Sequence, residues 1–321
     1  MVVVITGASS GAGRAAALAF ASDGASVVLA ARNEAALEEV AVECKERGAS
    51  VLTVPTDVSD AARVAELAGR AFAWNRQIDV WVNNAGVLAA GGFEDTPMEV
   101  HRQVILTNLV GYMNGAHAVL PYFKRQGSGI LINNISIGAF LPVPYGVGYS
   151  ASKFGLRGFS QALRGELTAW PDIHVCDLYP AFLHTPGILH AANYTGKVIK
   201  AAPPVYDPFE VARAMVRVAE RPRAETYIGP VSQLFKLSYS AAPLLTTAVA
   251  GAVMRRYFGQ AEIAEPTPGN VFGPVKHAMQ VFGPPQEEKA THKVNLAFGA
   301  LLGLGLAGVV WLALKKPYGA T

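Results

Sequence analysis

Cysteine is nearly absent from this chain: among 321 residues only Cys44 and Cys176 occur. They lie far apart and lack CxxC or Cys/His spacing, which excludes a disulfide framework and a thiolate zinc site and leaves two ordinary thiols of a reducing compartment. Charge is also sparse. Asp, Glu, Lys and Arg make up 16% of the residues, and 27 Lys+Arg against 24 Asp+Glu leave a formal charge of +3. No basic run concentrates that excess, so the electrostatic footprint of a nucleic-acid binder is missing. The opening Met1-Val2-Val3-Val4-Ile5 has no basic n-region and no cleavage site, and no secretory signal is expected. Apolar residues fill the space that charge leaves, at 51% of the chain with a mean hydropathy of +0.27. That value is high for a wholly water-soluble protein and points to a part that prefers lipid.

The chain is long enough to bury a large core. Short β-branched runs alternate with helical patterns: strands are expected at 2–5, 26–31, 51–54, 78–82, 129–134, 173–178 and 226–229. Between them the helical stretches 34–47, 98–125, 149–168 and 208–220 carry the 3.6-residue period. Strand and helix in strict alternation predict an α/β fold, a Rossmann-type doubly wound parallel sheet.

The first strand runs directly into Thr6-Gly7-Ala8-Ser9-Ser10-Gly11-Ala12-Gly13 and then an alanine-rich helix. Strand, glycine loop and helix is the context of a phosphate cradle: Gly7, Gly11 and Gly13 permit a tight turn and let backbone N–H groups and a helix N-terminus approach a pyrophosphate. Ser9 and Ser10 lie in the same turn, and Arg14, at the start of the helix, could add positive charge to that of Arg32 further along the chain. The second strand ends in Ala30-Ala31-Arg32-Asn33. An acidic residue there usually holds a ribose lacking the 2′-phosphate, whereas Arg32 offers a cationic fork suited to a phosphate, so NADP(H) is expected over NAD(H). The plainer alternative makes Arg32 a solvated loop residue. Asp57, followed by Val58, either accepts a bond from an adenine amino group or belongs to the start of the next helix near Ser59-Asp60. Asn83-Asn84-Ala85-Gly86 suits a tight wall against a ribose, and Asn108 either relieves a helix distortion or faces a site.

Tyr149 and Lys153 stand at i and i+4 where a strong helical pattern begins, which puts them on one face, one turn apart. A lysine ammonium held there favours the phenolate and brings the tyrosine toward acid/base work. Taken alone the spacing also fits a solvated helix face.

With Ser136 upstream of the pair, the order of motifs becomes specific. The sequence resembles the short-chain dehydrogenase/reductase family over about residues 1–230, in its glycine motif at 6–13, its Asn-Asn-Ala-Gly at 83–86 and its Tyr-x-x-x-Lys at 149–153. The resemblance implies a catalytic set of Asn108, Ser136, Tyr149 and Lys153. Ser136 would bond the substrate oxygen, Tyr149 would give or take its proton, Lys153 would bond the nicotinamide ribose, and Asn108 would hold a water leading to solvent. It also implies cofactor contacts from the glycine loop (Gly7, Ser9, Ser10, Gly11, Gly13, Arg14), from Arg32, Asp57 and Val58, from Asn83, Ala85 and Gly86, from Tyr149 and Lys153, and from Pro180 and Thr185. No metal is required. Ala181 departs from the family's Pro-Gly, which puts the loop's geometry in question. The stretch 186–206 matches the family's mobile substrate lid in position and reads as irregular, with His190 more simply explained as exposed.

Beyond residue 230 the composition changes. An apolar helical extension, 231–260, reads as a cover for the site mouth, a dimer surface or an interfacial element, the cover being preferred. A Pro/Gly-rich linker spans 261–293 and repeats Val-Phe-Gly-Pro at 271–274 and 281–284. The run 294–314, ~21 residues long and almost wholly apolar, is long enough for a transmembrane helix, with a short tail at 315–321; its alternative is a buried core or interface helix. The expected protein is therefore an NADP(H)-dependent oxidoreductase interconverting a carbonyl and an alcohol on an apolar or lipid-like substrate, single-pass in a membrane with its catalytic domain cytoplasmic, and possibly a homo-oligomer. The competing reading is a non-catalytic NADP(H)-binding membrane protein that senses redox state or scaffolds partners. A sugar epimerase or dehydratase on the same fold fits poorly, because no large C-terminal sugar domain follows.

Overall fold

The structure is a computed structural model that describes residues 1–201, 204–275 and 277–284. In chain order the elements are β1 (Val2–Thr6), α1 (Gly11–Ser22), β2 (Ser26–Ala31), α2 (Glu34–Glu46), β3 (Val51–Pro55), α3 (Ala61–Asn75), β4 (Val80–Asn83) and β5 (Ala89–Gly91). Then come α4 (Met98–Ile105), α5 (Gly111–Gln126), β6 (Gly129–Asn134), α6 (Val147–Glu166), β7 (Ile173–Pro180), β8 (Ala192–Tyr194), α7 (Pro208–Glu220), β9 (Glu225–Ile228), α8 (Pro230–Ala241) and α9 (Pro243–Gln260).

Seven strands form one parallel sheet in the order β3-β2-β1-β4-β6-β7-β9. Strand residues alternate between its two faces, and both faces are covered, which is why the strands read as continuous apolar runs. On one face Val3, Ile5, Val27 and Leu29 pack with α1, α2 and α7. On the other, Val2, Val4, Val28 and Trp81 pack with α3, α5 and α6. The chain reverses its winding direction between β1 and β4, and the crevice beyond the carboxyl ends of such a pair is where a doubly wound sheet binds ligands.

A row of polar side chains crosses the second face. Asn83, Asn133 and Asp177 are register partners on β4, β6 and β7. Asn83 Nδ2 donates to Asn133 Oδ1 at 3.0 Å, Asn133 Nδ2 to Asp177 Oδ1 at 3.3 Å, and Arg164 of α6 pairs with Asp177. At the opposite edge of the sheet, Gly24, Gly48 and Gly127 close helix-to-strand turns with φ of +78, +84 and +82°, and a Cβ on any of them would meet open space.

Three elements differ from the sequence reading. The helical region 98–125 is interrupted by a wide π-turn at Leu106–Val110, which carries Asn108. The lid stretch is not irregular throughout, because β8 pairs in parallel with β5 as a separate two-stranded sheet. The apolar extension is two helices, parted at Ala242, which leaves helical geometry just before Pro243 begins α9. Phe258 of α9 packs edge-on against Tyr145 at 4.9 Å, and Tyr257 bonds the main chain at Val198 and Lys200, so its end borders the site mouth. Among the described residues no helix is long and apolar enough to cross a membrane, and the run 294–314 lies outside them.

Candidate active site

The glycine loop is built so that only glycine fits. Gly7 and Gly11 hold φ of +66 and +54°, in the left-handed region. A Cβ at Gly13 would lie 2.1 Å from Gly7 O and 2.5 Å from Asn84 Nδ2, and one at Gly7 would lie 2.7 Å from Ala85 Cα. Thr6 ties the loop to the end of β4: its Oγ1 donates to Val82 O and accepts from Asn84 N and Ala85 N. Ser9 and Ser10 are half-buried in the turn, and Ser10 makes no capping bond from its side chain. Thr185 closes the far side, with its Cβ 3.3 Å from where a Cβ on Gly11 would stand. These features fit a dinucleotide pyrophosphate: a concave backbone and the N-terminus of α1.

The acceptor end is cationic. Arg32 is half-buried at the end of β2, and burial lowers its pKa while nearby Asp57 raises it. Its Nη2 donates to Asn270 O at 2.6 Å and Nη1 to Val271 O at 3.4 Å. Arg14 donates to Met279 O at 2.7 Å and pairs with Glu43. Both arginines thus hold main-chain carbonyls of the segment expected as a linker, and the solvated-loop alternative for Arg32 does not describe it. Asp57 bonds Ser59, through N at 2.9 Å and Oγ at 2.7 Å, while Asp60 caps α3. Val58 is buried, its carbonyl bound by Asn114.

Ser136, Tyr149 and Lys153 come together at the carboxyl end of β6 and the start of α6. Ser136 has φ +130°, a conformation that a residue with a side chain adopts only where its surroundings enforce it. Its Oγ accepts from Gly138 N at 3.1 Å, and Tyr149 packs over Gly138, its Cε1 3.0 Å from a Cβ placed there. Burial raises the Tyr149 pKa, and a hydrogen bond from Ser136 pulls it back. Lys153 is 4% exposed, with Nζ 5.3 Å from the Tyr112 ring centroid and 5.6 Å from that of Tyr149. Burial lowers its pKa to about 7. Burial is thus the largest influence on both residues and acts against the expected phenolate, favouring a protonated Tyr149 and a neutral Lys153.

Asn108 is completely buried. Its Oδ1 accepts from Val87 N at 2.8 Å, and Nδ2 donates to Val87 O at 2.9 Å and Ser152 Oγ at 3.3 Å. Ser152 Oγ in turn donates to Tyr149 O at 2.6 Å. Both amide protons of Asn108 are committed, so the side chain fixes the β4–β5 connection to α6 and has no N–H left for the expected water.

Other sequence candidates fall elsewhere. Asn83 is buried in the core row, accepting from Trp81 Nε1 and donating to Tyr112 O, and does not line the cradle. Asn84, its neighbour, does: Nδ2 donates to Thr6 O at 3.0 Å and Gly7 O at 3.3 Å, with Asn134 donating to its Oδ1. The signal was in the Asn-Asn pair, and only the strand's end decides which amide turns to the loop. Ala85 and Gly86 lie beside the cradle and Asn108 respectively, and Pro180 ends β7. Ala181 keeps the loop on the sheet by donating its N–H to Ile228 O. His190, expected to be exposed, is 3% exposed and donates through Nε2 to His277 O at 3.0 Å. Among the described residues no group of His, Cys, Asp and Glu could hold a metal.

Known proteins agree with this geometry. The short chain dehydrogenase family profile matches residues 1–192. The chain is 34% identical over 256 residues to the uncharacterized oxidoreductase YxnA of Bacillus subtilis strain 168, covering 79% of this chain and 72% of that one. Among solved structures it resembles an alcohol dehydrogenase from the archaeon Thermococcus sibiricus complexed with 5-hydroxy-NADP, at TM-score 0.63 and 31% identity over 72% of this chain and 97% of that one. It also resembles a short chain dehydrogenase/reductase from Burkholderia phymatum in complex with NAD, at TM-score 0.66 and 25% identity over 83% and 97%. A family match across more than half the chain, with a relative of this identity and span, puts the protein in the short-chain dehydrogenase family, as an oxidoreductase that works by NAD(P)-dependent hydride transfer.

Proposed function

We propose that this oxidoreductase uses NADP(H) to interconvert a carbonyl and an alcohol on an apolar or lipid-like substrate, with its catalytic domain on the cytoplasmic side of a membrane that residues 294–314 enter. The observation that carries the chemistry is Ser136 in its enforced conformation, its Oγ and the Tyr149 ring both packed at Gly138, with Lys153 one helical turn further along α6. The dinucleotide, when bound, supplies or accepts the hydride. Ser136 Oγ orients the substrate oxygen. Tyr149, kept protonated at neutral pH by burial, is set to donate to that oxygen as it gains charge, the direction of reduction. Lys153, poised near neutrality, exchanges a proton within the same pocket.

The preference for NADP(H) rests on Arg32, which stands just past β2 where an acidic residue usually holds a 2′-hydroxyl. The apolar substrate class rests on the sequence of 294–314, which would hold the site mouth near lipid. The test uses the full chain in detergent, following NADPH or NADH oxidation with fatty aldehydes, sterol-like ketones and small polar carbonyls. Turnover of the apolar carbonyls is expected with NADPH, about tenfold more efficient than with NADH, as a charge-assisted contact to one phosphate would give. Tyr149→Phe serves as the control, losing roughly 10² to 10⁴ in rate while retaining dinucleotide binding. Activity confined to small polar carbonyls would remove the lipid reading, and equal use of NADH would remove the cofactor preference. Absence of hydride transfer in the whole panel would leave the non-catalytic binding protein.

A further inference from the structure

The donors that a dinucleotide needs are already engaged by the chain's own C-terminal stretch. Gly11 N–H, at the start of α1, donates to Gln280 O at 3.0 Å. This is one of the orphan donors that a helix N-terminus offers to phosphate. Arg14 and Arg32 hold the carbonyls of Met279, Asn270 and Val271, and Asn33 Nδ2 holds that of Val275 at 3.0 Å. At the other end Gly283 passes so close to Thr185 that a Cβ on it would lie 2.9 Å from Thr185 O. The two cations, the backbone donor and the threonine expected to contact the dinucleotide thus all meet one segment.

That segment is anchored, and the anchoring accounts for the Val-Phe-Gly-Pro repeat. Each copy buries its valine and leaves its phenylalanine outward: Val271 is 0% and Val281 8% exposed, Phe272 53% and Phe282 41%. Val271 enters the cluster of Val87, Val100 and Val104 beside Tyr149, and Val281 enters the main cluster against the sheet. Between them His190 donates to His277 O, while Asn270 N donates to His190 O at 2.8 Å and Gly283 N to His184 O at 3.1 Å. The repeat is two apolar pegs that hold a strap across the cradle.

We propose that residues 270–275 and 277–284 are an internal competitor of the dinucleotide, a strap that must leave the glycine loop, Arg14 and Arg32 before NADP(H) binds. The inference rests on the reading of this cradle as the dinucleotide site. A phosphate turns the neutral Gly11 contact into a charge-assisted bond, roughly twice as strong, and gives Arg14 and Arg32 an ionic partner with bidentate geometry where the strap gives neutral carbonyls. The strap therefore holds the site when dinucleotide is scarce and yields when it is abundant. Apparent affinity is then the intrinsic affinity reduced by the fraction of chains whose strap is open.

The experiment measures NADPH binding by fluorescence and amide hydrogen exchange by mass spectrometry on the full chain in detergent, for the wild type and for Val281→Ser, which loosens one peg and touches no catalytic group. NADPH should bind Val281→Ser about tenfold more tightly, a change of ~1.4 kcal/mol. In the wild type, NADPH should speed exchange at Asn270 and Gly283. Exchange there that is unchanged or slowed by bound NADPH overturns the strap and leaves the dinucleotide site standing. That measurement decides the matter even if the variant fails to fold. Failure of wild type and variant alike to bind NADPH or NADH would instead remove the dinucleotide site, and the strap's role with it.

Discussion

Lys153 makes stability depend on pH. Burial brings its pKa from 10.5 to about 7, so between those values the unfolded chain binds a proton that the folded chain does not. Stability must then rise with pH through that window, and the cost of the buried charge is felt in full at pH 7 and below. Cys44 and Cys176 act in the opposite sense, because burial pushes their thiols up from 9.0 to about 11 and about 12, and this sets in as unfolded thiols ionise. Between pH 7 and 8.5 the lysine should dominate. Chemical denaturation of the dinucleotide-free protein is expected to show a gain of at most about 2 kcal/mol across that interval, and Lys153→Met should abolish it. A flat wild-type profile would contradict the assignment. The residues legible in sequence were those that the motifs name and the structure brings to one crevice: Ser136, Tyr149, Lys153 and the glycines of the loop. Asn83 was misplaced and Asn84 passed over because the pair looks alike in sequence, and the end of β4 turns only the second toward the loop. His190 was judged by its own position, whereas its partner, the carbonyl of His277, lies far along the chain.

Among the elements, α6 does two jobs. Its first turns carry Tyr149 and Lys153, and its last carries Arg164, which reaches Asp177 on β7 and also bonds the carbonyls of Val175 and Ala224. Asp177 is fully buried, and burial raises its pKa against the pull of Arg164. Arg164→Met should therefore cost about 3 to 5 kcal/mol in urea unfolding, the penalty for an uncompensated buried charge. The double variant Arg164→Met, Asp177→Asn should recover part of it. A loss under about 1 kcal/mol in the single variant would mean that the pair is not felt as a buried one. The parallel strands were legible because both their faces are covered and they read as plain apolar runs. The β5–β8 pair was not, since Ala89-Ala90-Gly91 has no strand signature and owes its extension to a partner a hundred residues away. The π-turn lies inside a continuous helical pattern, where the polar Asn108 among apolar neighbours was the sign of a helix distortion.

At the scale of the whole molecule, the fold's class followed from alternation alone, whereas the course of 261–284 did not. The strap is held largely by backbone carbonyls, which every residue possesses, and only its two valines left a trace in the sequence as a repeat. The proposed membrane attachment belongs to this scale as well. The full chain should sediment with membranes and resist extraction by high salt, and Leu304→Lys with Leu306→Lys should release it, since each lysine at a helix centre costs about 2.5 to 3.5 kcal/mol in the bilayer. A double variant still found wholly in the pellet would rule out 294–314 as the anchor. The glycine turns at Gly24, Gly48 and Gly127 offer a practical return. They lie at the sheet edge opposite the catalytic mouth, and a side chain there meets nothing within 4 Å. A dye or affinity peptide joined at the exposed Ser128, with Gly127 itself kept because its φ of +82° disfavours any side chain, would report on the protein or fix it to a surface with the entrance facing solution, leaving the site at the other end undisturbed.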